Sequence, residues 1–145
     1  MYNIGEEEIN AIAEVINSRK LFRYEGDKCL TFEKRYAQYL GAKYFRLTCS
    51  GSYALHAAIV SLGIGPGDEV IIPSHTYMAT AISVLTAGAI PVVIDIDDSI
   101  TMDPDALENS IGPLTKAVIP VHIWGASCNM KTIMRIAEKH NLLVI

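Results

Sequence analysis

Residues 69–95 read EVIIPSHTYMATAISVLTAGAIPVVID. EVIIP at 69–73 is a short, apolar, β-branched run that follows the turn residues GPGD, and this pattern predicts a strand. TYMATAISVLTAG at 76–88 has helical spacing and ends on Gly88, a residue suited to stopping a helix. PVVID at 91–95 is again short and β-branched. A strand, a crossover helix and a second strand in this order make a parallel pair, because an antiparallel pair needs only a tight turn.

The same alternation extends in both directions. On the amino-terminal side, KYFRLT at 43–48 predicts a strand and GSYALHAAIVSL at 51–62 a helix. On the other side come a short helix over 103–111, a strand over 116–122, a helix over 129–141 and a strand over 142–145. Strands that are apolar throughout are those covered on both faces. The expected fold class is therefore α/β: a three-layer α/β/α arrangement around a mainly parallel sheet. Before the alternation, residues 6–17 place Ile9, Ile12, Val15 and Ile16 on one helical face, with three glutamates in the first turn where the helix dipole favours them. A second helix is expected to be capped by Thr31, to turn Phe32, Tyr36, Tyr39 and Leu40 inward, and to end at Gly41. The expected division is a helical segment over 1–42 and an α/β domain over 43–145. Ile145 stands inside an apolar run, so the sequence is expected to be part of a longer protein.

The bulk numbers narrow the function. The chain has 145 residues, half of them hydrophobic, and a net charge of −4, which disfavours general nucleic-acid binding. Cys29, Cys49 and Cys128 are far apart and form no CxxC pair, so neither a disulfide framework nor a zinc site is expected. Reduced thiols, a start that is acidic rather than apolar, and no long apolar run point to a cytoplasmic protein that does not enter the membrane.

In an open α/β sheet, ligands bind beyond the carboxyl ends of the strands. LTCSGSYALHAAI at 47–59 lies at such an end and opens a helix. Free N–H groups and the helix dipole there suit an anion, phosphate above all. Gly51 lets backbone and ligand come close, and Ser50 and Ser52 add hydroxyl donors. Serine and glycine are also ordinary caps, and on these residues alone the cap reading is the plainer one. GIGPG at 63–67 leaves a helix and enters a strand, the reverse of a phosphate loop, and is a turn. Ser50 lies in no GxSxG elbow. His56 falls mid-helix and His140 in a last turn, as structural or solvated residues do. His75, Tyr77, His122 and Trp124 each follow a strand and so share the edge of Ser50. An aromatic beside a phosphate cradle is one way of holding a flat heterocycle.

These blocks together resemble the N-terminal part of the DegT/DnrJ/StrS family of sugar aminotransferases, pyridoxal phosphate enzymes of the aspartate-aminotransferase fold (fold-type I). The resemblance runs through IGEEEINAI, FEKRYAQYLGAKY, TCSGSYALHAAIVSLGIGPGDEVIIPSHTYMATA, AGAIPVVIDID, ITMDPDALENSI and TKAVIPVHIWGASCNMKTIMRIAEKHNLLVI. It implies that Ser50-Gly51-Ser52 is the turn that holds the cofactor phosphate, with Ser52 for the usual threonine, and that Tyr53 stands where a small residue is common. It implies that Tyr77 stacks on the cofactor ring and that RKLFRYEG lies near the active site and subunit interface of a homodimer. The implied reaction moves an amino group from glutamate or glutamine onto a nucleotide-linked keto-sugar or keto-cyclitol. The family's acidic partner of the pyridine nitrogen follows the strand that ends here as LLVI, and its cofactor-bearing lysine comes later still, so no catalytic residue is expected in this chain. A non-catalytic fragment or pseudoenzyme that binds or pairs is the alternative.

Overall fold

The computed structural model describes residues 3–145. The chain divides into two compact units between Leu47 and Thr48.

The first unit carries helices α1 (Glu6–Ser18) and α2 (Lys28–Leu40). Glu6, Glu7 and Glu8 crowd the first turn of α1, and the Glu8 carboxylate accepts the Gly5 N–H at 2.7 Å, closing the helix start. The second helix begins one turn before the expected Thr31: Asp27 is its N-cap residue, and the Thr31 N–H already bonds to the Asp27 carbonyl at 2.8 Å. Gly41 ends it in the left-handed region at φ 65°, as expected. The expected inward face of α2 is corrected. Phe32, Tyr36, Tyr39 and Leu40 are exposed, and Glu33 is the one buried residue of the helix. Two short helices offer no second layer to cover an apolar face, and so small a unit buries little.

A charge cluster organises this unit instead. Glu33 accepts from Arg23 at 2.7 Å, from Arg46 at 3.2 Å and from the Leu47 N–H at 2.8 Å. These bonds also account for a second correction. Residues 43–48, expected as a strand, form none: the Leu47 donor and the Arg46 side chain are committed to a carboxylate, and among the described residues no strand pairs with them.

The second unit, Thr48–Ile145, is an α/β/α sandwich. Helix α3 (Gly51–Ser61) leads to β1 (Glu69–Pro73), α4 (Ala79–Thr86), β2 (Ile90–Ile94), α5 (Pro104–Asn109), β3 (Thr115–Val118), α6 (Met130–His140) and β4 (Leu143–Val144). The sheet order is β2-β1-β3-β4, and every pairing is parallel. Of the strands expected near Leu47, Ile71, Val93, Ile119 and Val144, the last four regions contribute to this sheet and the first does not. Pro91, which cannot donate to a ladder, sits on the edge strand β2, where its missing N–H is tolerated.

Alternation along the strands sends side chains to both faces. Val70, Ile72, Ala117 and Ile119 pack with Ile59 and Val84 under α3 and α4. Ile71, Val118 and Ile94 pack with Met102, Leu107, Ile133 and Ile136 under α5 and α6. Gly63 at φ 76° and Gly67 at φ 91° form the turn from α3 into β1. No helix among the described residues is long and apolar enough to cross a membrane.

Two outcomes follow. Ile71 is fully buried in the second unit, and Ile71→Ala should cost about 2–5 kcal/mol, read by denaturant unfolding. In the first unit, the Leu47 N–H, then the Arg23 guanidinium, hold the Glu33 carboxyl below its ordinary range against the opposing effect of burial. A depressed carboxyl stabilises the fold above its unfolded value and loses that contribution as pH falls through the folded one. Glu33→Gln should therefore melt lower than the parent at neutral pH. The gap should close as pH drops below about 4, the usual carboxylate range, in melts recorded across pH.

Candidate cofactor site at the carboxyl edge of the sheet

Ser50 caps α3 from an extended backbone (φ −164°, ψ 161°), and its Oγ accepts the Tyr53 N–H at 3.1 Å. The Thr48 hydroxyl donates to the Ser50 carbonyl at 2.9 Å, fixing the approach to the helix. With Tyr53 satisfied, the N–H groups of Gly51 and Ser52 remain first-turn donors without an intrahelical acceptor. The Ser50 O–H hydrogen also remains free to donate, since its oxygen is what serves as the cap.

Gly51 is informative. Its φ is not positive, and a Cβ built there would meet nothing within 4 Å. Neither backbone conformation nor internal packing calls for glycine at this position. The space in front of this helix start is therefore open to a ligand.

Two contacts place this helix start on the sheet's carboxyl edge. The Ser83 hydroxyl donates to the Ser52 carbonyl at 3.1 Å, and the Thr86 hydroxyl lies 3.1 Å from His56 Nδ1. Positions 52 and 56 thus match 83 and 86, so α3 and α4 run side by side in the same sense. The start of α4 follows the carboxyl end of β1, and the start of α3 lies level with Ser83, one turn along α4 from that end. This also gives His56 its role as a partner of α4.

Residues 74–78 link β1 to α4. Tyr77 lies here, 81% exposed, with its carbonyl accepting the Thr80 N–H at 3.0 Å. His75 packs edge-to-face against Trp124 with ring centroids 5.4 Å apart, which joins the end of β1 to the loop after β3. The Nδ1 of His75 is buried and has no hydrogen-bond partner among the described residues. His122 lies in the same loop, and its Nδ1 accepts the Cys128 N–H at 3.1 Å.

The structure thus gathers Ser50, Gly51 and Ser52 at one helix start, with Tyr77, His75, His122 and Trp124 on the same edge of the sheet. Two features had only faint signals in the sequence. The Trp124-Gly125 pair adopts positive φ, and the glycine hinted at a turn. The link from Cys128 to His122 spans six residues of loop and carries no motif. The three cysteines are free, and among the described residues no group of three or more metal-ligating side chains comes together.

The sequence profile described as the DegT/DnrJ/EryC1/StrS aminotransferase family matches residues 2–145. The chain belongs to this family. A GDP-perosamine synthase of Caulobacter vibrioides is 50% identical over 115 residues, covering 79% of this chain and 31% of the relative. The spore coat polysaccharide biosynthesis protein SpsC of Bacillus subtilis is 43% identical over 143 residues, covering 98% of this chain and 36% of the relative. Among solved structures, NtdA from Bacillus subtilis with bound cofactor PMP superposes with a TM-score of 0.91 at 36% identity, covering 97% of this chain and 33% of that one. The chain therefore spans about a third of the length of the relatives it matches. Membership of this aminotransferase family implies pyridoxal phosphate chemistry, and the open helix start beside an exposed aromatic fits a phosphate-bearing heterocycle.

The cap itself is testable in stability alone. Ser50→Ala should cost about 0.5–2 kcal/mol of unfolding free energy, the usual range for a lost serine cap, while Ser50→Asp should hold it near the parent value in the same denaturant titration.

Proposed function

We propose that this chain is the N-terminal part of a pyridoxal phosphate-dependent aminotransferase acting on a nucleotide-linked keto-sugar or keto-cyclitol, with glutamate or glutamine as amino donor. In this reading residues 43–145 are part of the large cofactor domain, Ser50, Gly51 and Ser52 hold the cofactor phosphate, and Tyr77 covers the ring. The single observation that carries it is Gly51: a glycine with open space at its missing Cβ, beside two unpaired N–H donors, on the carboxyl edge of a parallel sheet. The names of the perosamine synthase and the spore coat polysaccharide protein support a sugar as the substrate class.

When bound, pyridoxal phosphate supplies an electron sink that stabilises negative charge on the carbon next to the transferred nitrogen. The residues here do the holding. The N–H groups of Gly51 and Ser52 and the hydroxyls of Ser50 and Ser52 donate to phosphate oxygens, adding to the field of the helix start. Tyr77 lies against the ring face and excludes water from it. Transamination also needs a lysine that carries the cofactor and moves a proton, and an acidic group opposite the pyridine nitrogen. In the family both groups follow the strand that reads LLVI here, and the part read from residues 43–145 is the binding of the cofactor.

Absorbance titration with pyridoxal phosphate tests the binding residues. A hydrogen bond to a charged group contributes about 1.5–3 kcal/mol. Ser52→Ala keeps the backbone donor and should weaken binding about tenfold, or 1.4 kcal/mol. Gly51→Val should weaken it more, because a branched side chain fills the approach. Ser50→Asp, which preserves the cap, should abolish binding by placing a carboxylate against the phosphate. Tyr77→Ala should lose the stack, roughly 0.5–1.5 kcal/mol beyond its buried area, and Tyr77→Phe should not. Unchanged affinity in both Gly51→Val and Tyr77→Ala would reduce the turn to a helix cap.

Borohydride reduction with the cofactor, followed by peptide mapping, tests the catalytic side. No one lysine should be labelled stoichiometrically. A single fully labelled lysine would show that a lysine among these residues carries the cofactor.

A further inference from the structure

The loop that follows β3 is closed at its base by one residue. Cys128, itself buried, donates its N–H to His122 Nδ1 at 3.1 Å and its thiol hydrogen to the Val121 carbonyl at 3.2 Å. The tip is closed by the reciprocal bonds of Ile123 and Ala126, at 3.0 and 2.8 Å. Between them Trp124 is held at φ 48° and Gly125 at φ 88°. A tryptophan in the left-handed region persists only where its surroundings over-determine it, and such residues cluster at ligand sites.

The bond to Cys128 decides the chemistry of His122. A backbone N–H can only donate, so Nδ1 must accept and carries no proton. The neutral ring then bears its hydrogen on Nε2. His122 is exposed, and Nε2 has no partner among the described residues. An asparagine would cap the Cys128 N–H as well as histidine does. What histidine adds is a donor on the far side of the ring, at the edge where Tyr77 and the α3 start lie.

We propose that His122 is a tautomer-locked Nε2–H donor to an oxygen of the ligand bound at this edge, and that Cys128 is the residue that positions it. The inference rests on the function proposed above and names a further binding residue for it. The acceptor oxygen belongs either to the cofactor or to the sugar, and the two are separated by the probes below.

Trp124 is the single tryptophan of the chain and stands two residues from His122, so its fluorescence reports binding at this edge. The tautomer comes first: long-range nitrogen–proton NMR of histidine-labelled chain should show the neutral ring with Nε2 protonated and Nδ1 bare. Fluorescence titrations then use pyridoxal phosphate and, separately, GDP-mannose as a nucleotide-linked hexose. His122→Asn, which keeps the cap on Cys128 and drops the far donor, should melt like the parent. It should also weaken one of the two probes roughly three- to tenfold, the size of one hydrogen bond. His122→Gln, which places a donor near Nε2 but leaves the Cys128 N–H without its acceptor, should recover part of that loss. Weakening toward pyridoxal phosphate assigns the acceptor to the cofactor, and weakening toward the nucleotide sugar assigns it to the substrate. A neutral ring protonated on Nδ1 would overturn the proposal. So would parental affinity of His122→Asn for both probes, equal losses in His122→Asn and His122→Gln, or no saturable quenching by either probe. Loss of cofactor affinity in Gly51→Val alongside an unaffected His122→Asn would reject this donor while leaving the cofactor reading standing.

Discussion

Parallel pairing is the constraint from which the functional edge follows. Two parallel neighbours cannot be joined by a turn, so each strand must return through a crossover, and every strand then ends on the same edge of the sheet. β1 sits between β2 and β3 with both faces covered, and its carboxyl end delivers residues 74–78 to that edge. β3 delivers His122 and Trp124 to the same side. Helix α3 is aligned with α4 through Ser52 and Ser83 and through His56 and Thr86, which brings its free N–H groups there too. The fold collects these chemistry-bearing residues because the backbone has no other way to close.

The start of α3 shows how one residue can serve stability and binding together. Ser50 uses its oxygen lone pair for the Tyr53 N–H and keeps its hydrogen for another acceptor. Capping satisfies the Tyr53 N–H and leaves those of Gly51 and Ser52 without an intrahelical acceptor. A helix start that is stable without ligand is thereby also prepared for an anion. The cap reading and the cradle reading, which compete in the sequence, are compatible in the structure. The space around Gly51 is open, so an anion can reach these donors without displacing any side chain.

Most of the second unit was legible in the sequence because the short, apolar, β-branched runs EVIIP and PVVID and the helical spacing between them are local signals that burial enforces. Segment ends were less so: the strand expected to reach His122 stops at Val118, and the helix expected from Thr76 starts at Ala79. The strand expected over 43–48 failed for a non-local reason. Its pattern is strand-like, but its donors are taken by Glu33, fourteen residues earlier in the case of Leu47. The apolar face of α2 was read as buried because periodicity reports that a face exists and not what covers it. Ser50, Gly51, Ser52 and Tyr77 could be picked out by position and resemblance. The tautomer of His122 could not, since it depends on a backbone donor six residues away.

The two units are held by different physics. In the second, branched side chains on both faces of a sheet exclude water, and removing any one leaves a cavity that close packing cannot heal. In the first, the helices leave Ile9, Ile12, Ile16, Phe32 and Tyr39 exposed, and a single buried carboxylate joins the loop of Arg23 to the segment of Arg46 and Leu47. A buried charge tolerates no loss of its partners, because an unpaired carboxylate away from water is costly, and it fixes geometry more strictly than an apolar contact, which has no direction. Glu33 therefore ties Arg23 of the loop between the helices to Arg46 and Leu47, next to Phe45, whose ring packs on Tyr36 at 4.8 Å.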